Sequence, residues 1–94
     1  MKYVIFKGNG MLHPVTFCDY TTHKQVKVDG AVPIAAGFVT FDRYGWPTCY
    51  GGSESLHLQS RGEQDADLIR RSMQQDPGSG MFLDYDEEIK VEPR

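Results

Sequence analysis

KYVIFKGNGMLHPVTFC, residues 2–18, is the stretch on which the fold turns. Lys2 to Lys7 reads as a strand, with Val4 and Phe6 on one face and Tyr3 and Ile5 on the other. Gly8-Asn9-Gly10 follows, and Asn-Gly supplies the positive φ angles that a tight hairpin turn demands. Met11 to Cys18 is then the returning strand, with Val15 and Phe17 alternating inward. Pro14 has no amide hydrogen, so this strand belongs at a sheet edge or a bulge.

Downstream of the hairpin, Asp19 is placed to cap a short helix over about Tyr20 to Val28, closed by Asp29-Gly30. Pro33 to Phe41 is nearly continuously apolar, as expected for a central strand covered on both faces. Asp42-Arg43-Tyr44-Gly45 turns the chain, and Trp46 to Tyr50 returns. Gly51-Gly52-Ser53 marks a bulge or bend before Ser55 to Leu58 continues, with Leu56 and Leu58 inward. Two hairpins, each followed by a helical stretch, make an approximate internal repeat.

Ser60-Arg61-Gly62-Glu63 has the spacing of a capping box, which opens a helix from about Arg61 to Gln75. Ala66, Ile69 and Met73 form its inward stripe, widened by Leu68. Acids lie at its start and Arg70 and Arg71 toward its end, and Asp67 and Arg71 are spaced for an ion pair. Asp76-Pro77-Gly78 ends the helix, and Met81 to Tyr85 reads as a last strand. The expected order is β-β-α-β-β-α-β, an α+β domain over residues 1–85. An antiparallel sheet of about five strands carries helices on one face, and a polar tail over 86–94 frays.

Ninety-four residues make one domain with a thin core, which a homodimer interface would supplement. With 39% hydrophobic and 24% charged residues, the composition is that of a soluble globular domain rather than a fibre or a disordered tail. Residues 1–50 hold five Lys and Arg against three Asp, whereas residues 51–94 hold five against ten acids. No run is basic enough to displace counterions from a duplex, so nucleic-acid binding is disfavoured. The apolar run before Lys7 is too short for a secretory signal, and no stretch is long enough to cross a bilayer. A cytoplasmic protein with Cys18 and Cys49 reduced is the expectation.

Motifs of catalysis are missing. Gly51-Gly52-Ser53-Glu54-Ser55 lacks the final glycine and the helix of a nucleophile elbow, and no Gly-Lys-Ser/Thr makes it a phosphate loop. Glu63 occupies the helix start where an anion would sit. His13, Cys18, His23 and Cys49 lack the paired short spacings of a zinc site, and nothing in the spacing makes a Cys–His dyad. Asp84, Asp86 and Glu88 read as solubilising edge charges rather than a cation site. No catalytic, cofactor-binding or metal-binding residue is therefore assigned.

The surface candidate is the turn carrying Tyr44, Trp46 and Tyr50, which cannot all face inward with Val39 and Phe41. Tyrosine and tryptophan anchor interfaces because they offer large contact area with few rotors to freeze. Phe6…His13-Pro14-Val15, Ala36-Gly37-Phe38-Val39 and Gly52-Ser53-Glu54-Ser55-Leu56 resemble stretches of short uncharacterised proteins of bacterial and prophage genomes. The resemblance covers about the first two-thirds of the chain and implies a small α+β accessory protein, with no catalytic residue, ligand or partner carried across.

The leading expectation is a non-enzymatic module that binds a protein, itself or a host factor, through those aromatics and the adjoining sheet edge. Two alternatives have distinct signatures. A nucleic-acid-associated protein, or an acidic decoy, requires Lys2, Lys7, Lys24 and Lys27 on one face. A small hydrolase or metal-dependent enzyme requires His13, His57 and Cys49 to converge.

Overall fold

The alternation in residues 2–17 becomes β1 (Lys2–Gly8) and β2 (Met11–Phe17), antiparallel from Lys2 opposite Phe17 to Gly8 opposite Met11. The structure, a computed structural model, describes residues 1–75. Asn9 and Gly10 both hold positive φ, 55° and 72°, so the two-residue turn twists with its strands. β3 (Val32–Phe41) lies antiparallel on the other side of β1, and β4 (Pro47–Tyr50) pairs with Phe38–Phe41 at its end. The sheet order is β2-β1-β3-β4, which puts the two most apolar strands inside. Ile34 is an extra residue in β3, between Ala35 opposite Ile5 and Pro33 opposite Phe6.

Both edges carry a proline aimed outward. Counting from the tight turn, Met11, His13, Val15 and Phe17 exchange hydrogen bonds with β1, so Leu12, Pro14 and Thr16 present their backbone to the open side. On β4 the Asp42 N–H bonds Trp46 O at 3.0 Å, which makes Thr40–Thr48 and Phe38–Tyr50 the bonded pairs. The backbone of Pro47 and Cys49 is therefore turned away from β3, to the side where no described strand pairs. Pro14 stands at an edge, as its missing donor requires.

α1 (Glu63–Gln75) covers one face of the sheet. Ile69 packs there with Tyr3, Ile5, Ala35, Val39 and Cys49, with Ala66, Leu68 and Met73 around it. Burying each large side chain of this set contributes about 1.5–3 kcal/mol. The opposite face, Val4, Phe6 and Ala36, is covered by Val15, Phe17, Val26, Val28, Ala31, Leu56 and Leu58. The domain is thus α+β with antiparallel strands, and its two faces are roofed differently.

Several expectations are corrected. The helix over Tyr20–Val28 is only a 3-10 turn at His23–Gln25. Val26 and Val28 are two residues apart, so an extended chain, and not a helix, turns both onto Val4 and Phe6. Asp19 caps nothing there; its carboxylate meets the Met1 amino group at 3.1 Å. Of the expected strand Ser55–Leu58 only Leu58 is extended; residues 54–57 form a turn between β5 (Gly52–Ser53) and β6 (Leu58–Gln59), which make their own two-stranded sheet. Among the described residues there are six strands in two sheets and one α-helix, so β-β-α-β-β-α-β with about five strands does not hold. The expected strand Met81–Tyr85 and the tail 86–94 lie outside the described residues. No helix among the described residues is long and apolar enough to cross a membrane.

The start of α1 also differs from the capping box. Ser60 Oγ accepts from Gly62 N–H at 3.0 Å, while Glu63 is exposed. The residue that reaches back is Asp65, which accepts the Arg61 N–H at 2.8 Å. Helical bonding begins later than expected, with Ala66 N–H on Gly62 O at 3.0 Å.

Candidate interaction surface

The turn between β3 and β4 is closed by Asp42. Its Oδ1 accepts Tyr44 N–H at 2.8 Å and Trp46 N–H at 2.9 Å. Its backbone oxygen accepts Gly45 N–H at 2.9 Å, and Gly45 takes the left-handed φ of 83°. Asp and Gly belong at these places because a short carboxylate satisfies its own turn and glycine adopts positive φ without strain. The result is a tip whose backbone is fixed from within.

On that tip Tyr44 is 76% exposed and Trp46 51% exposed. Each ring carries a guanidinium: Arg43 lies 5.7 Å from the Tyr44 centroid, and Arg70 of α1 lies 4.6 Å from that of Trp46. Such stacking holds the ring flat and keeps the cation at the surface. Arg70 is positioned twice, since it also donates to Asp67 Oδ1 at 2.9 Å, and Arg71 donates to Asp67 Oδ2 at 2.9 Å. The expected Asp67–Arg71 pair is formed. Arg43 has no ion-pair partner among the described residues.

Tyr50 sits apart from the other two aromatics. It follows buried Cys49 on β4, so it faces away from the helix, where it stacks on Phe38 with centroids 5.9 Å apart. Tyr50 is half exposed.

A second polar centre, which sequence reasoning missed, lies beneath α1. Asp65 is fully buried and accepts the Tyr3 hydroxyl, Arg61 N–H at 2.8 Å and Arg61 Nε–H at 2.7 Å. The Tyr3 oxygen also lies 2.8 Å from Ser60 Oγ. Gly37 makes the room: a Cβ there would stand 2.5 Å from Tyr50 O and 3.1 Å from Ser60 Cβ. Burial, then the bond to Asp65, drives the Tyr3 hydroxyl far above its ordinary range. Burial, with the Asp65 charge adding to it, pushes the Cys49 thiol up to about 11. The Tyr3 hydroxyl and Cys49 thiol are thus held neutral and buried beside the Arg61–Asp65 ion pair, which suits a latch between helix and sheet better than a reacting centre.

The histidines and cysteines do not assemble. Cys49 is in the core under the helix, whereas His13 shares the parity of Val15 and Phe17 on the other face. His57 is exposed in the β5–β6 turn at φ 57°. His23 is buried; its Nε2 lies 2.8 Å from Gly37 O, and its ring is edge-on to Phe17 and Phe38. Cys18 is exposed, and the neighbouring Thr21 hydroxyl, with backbone amides, lowers its pKa. No cluster of three His, Cys, Asp or Glu among the described residues is placed to hold a metal. Lys2 and Lys7 stand five residues apart on β1, hence on opposite faces, so the lysines make no single basic face. No family model, curated protein or solved structure matches this chain.

Proposed function

We propose that the chain is a small non-enzymatic interaction module that captures another protein through the β3–β4 tip. The carrying observation is the Asp42-closed turn that displays Tyr44 and Trp46, each overlaid by an arginine. Tryptophan, tyrosine and arginine are the residue types that dominate interface energetics, and a turn already ordered loses little entropy on binding. The outward prolines support docking by side chains, because strand addition along either edge meets a missing donor at Pro14 or Pro47. The partner is a protein of the same cytoplasmic compartment, either a second copy or a host factor.

A photo-crosslinker at position 44, with the native Trp46 retained, identifies the partner by mass spectrometry of the crosslinked peptide. Sedimentation equilibrium separates a second copy from a different chain. Trp46→Ala should weaken that complex by about 1–3 kcal/mol with the circular dichroism unchanged. A folded Trp46→Ala protein that binds the crosslinked partner as tightly as the wild type would remove the tip from the interface.

A further inference from the structure

A depression of about 470 Å³ opens on the sheet face away from α1, between Thr22-His23 and the β5–β6 turn. That volume lies within the range of small-molecule sites, roughly 300–1,000 Å³. Phe38 lies within its lining, wedged between the stacked Tyr50 and the edge of the buried His23. Lys2 and Glu54 both line it. The two opposite charges form no ion pair with each other or with any other described residue.

The Lys2 head group and the backbone of the turn that carries Glu54 are each tied by hydrogen bonds. The Lys2 ammonium donates to Thr21 O at 3.0 Å and keeps two further donors. Glu54 is exposed between Ser53 and Ser55, whose hydroxyls are 3.2 Å apart, and Ser53 Oγ also accepts Leu56 N–H at 3.3 Å. Its own carbonyl accepts His57 N–H at 3.3 Å. An ordered aromatic ring, one cation and one anion thus border a single open cavity.

We infer that this depression binds a small zwitterion of the amino-acid class bearing an apolar ring. The ligand carboxylate meets Lys2, its ammonium meets Glu54, and its ring lies against Phe38. A ligand with only one charge leaves the other wall unanswered. This site is separate from the hairpin tip and does not depend on the reading given to that tip.

Titration of the full isotopically labelled chain by NMR tests the assignment, with L-phenylalanine, phenylacetate and phenethylamine as probes. L-Phenylalanine should give saturable shifts confined to the amides of Lys2, Thr22, His23, Phe38 and residues 52–55. Each single-charge analogue should bind about threefold more weakly, the scale of one exposed ion pair. Glu54→Gln, a change on an exposed turn, should lower L-phenylalanine affinity to that of phenylacetate and leave phenylacetate unaffected. The inference is overturned if L-phenylalanine gives no saturable shift up to its solubility limit. Equal binding of phenylacetate and L-phenylalanine to the wild-type chain also overturns it.

Discussion

Tyr3 and Val4 are neighbours on β1 and equally buried, yet they look into two differently built halves of the molecule. Tyr3 faces a regular helix, whose apolar stripe is supplemented by a buried carboxylate, a guanidinium and two hydroxyls. Val4 faces irregular chain, an extended segment and a small hairpin that supply aliphatic contacts one residue at a time. A helix satisfies its own backbone and can lie on a sheet wherever its stripe fits. Irregular chain must find a partner for each polar group, which is why Thr22 N–H bonds the Gln25 side chain and the His23 ring reaches Gly37 O on β3. The difference predicts unequal cooperativity: loss of the helix roof should unfold the domain, whereas the irregular roof should open locally.

The largest effect should come from Asp65→Ala. It leaves the Tyr3 hydroxyl and part of Arg61 without their acceptor, and the loss expected is about 3 kcal/mol by urea denaturation. A loss below that of an ordinary surface substitution would mean that the helix face is held by its stripe alone. On the other face, His23→Ala should cost about 2 kcal/mol, through the lost bond to Gly37 and two ring contacts. Hydrogen exchange in His23→Ala should quicken in residues 18–31 more than in β1. Uniform acceleration would erase the distinction between the faces.

Thr16→Val should act in the opposite direction. Thr16 is buried on the helix side opposite Tyr3, and its hydroxyl has no hydrogen-bond partner among the described residues. Valine keeps the shape and removes that group, so stability should rise by up to about 1 kcal/mol. A fall would reveal a bond to that hydroxyl.

The smallest perturbation uses the two thiols. Cys18 should react with a disulfide reagent in the native state, and Cys49 only on unfolding. The sign of the alkaline effect follows from the same burial. The folded Cys49 thiol ionises near 11 against an ordinary 9.0, so its contribution is intact below pH 9 and is lost between 9 and 11. Cys49→Ala should flatten that part of the alkaline fall in a thermal-melt series, leaving the later fall due to Tyr3.

Much of the sheet was legible because local chemistry decided it. Asn9-Gly10 fixed a turn, Pro14 an edge, and the 66–69–73 spacing a helix face. The first helix was misread because a possible cap at Asp19 outweighed the two-residue spacing of Val26 and Val28. Asp65 does lie in the first turn of the helix, as its reading as a charge complementing the dipole expects, but its burial was missed. Its spacing held the signal, since Asp65, Ile69 and Met73 recur at four-residue intervals and so share the inward stripe. Of the surface candidate, Tyr44 and Trp46 could be placed from the turn that joins them. Tyr50 belonged to the other face by strand parity, which required knowing where β4 begins.

The prolines on β2 and β4 have a consequence for how such a chain behaves in a crowd. A four-stranded sheet with neither side paired among the described residues is the repeating unit of a fibre in waiting, because each copy can template the next at both ends. Replacing one outward nitrogen per side interrupts that propagation at the same register on every encounter. Pro14→Val with Pro47→Val would restore both donors and convert a self-terminating unit into one able to stack indefinitely. At high expression, that double replacement should therefore lower the soluble fraction while leaving the core residues untouched.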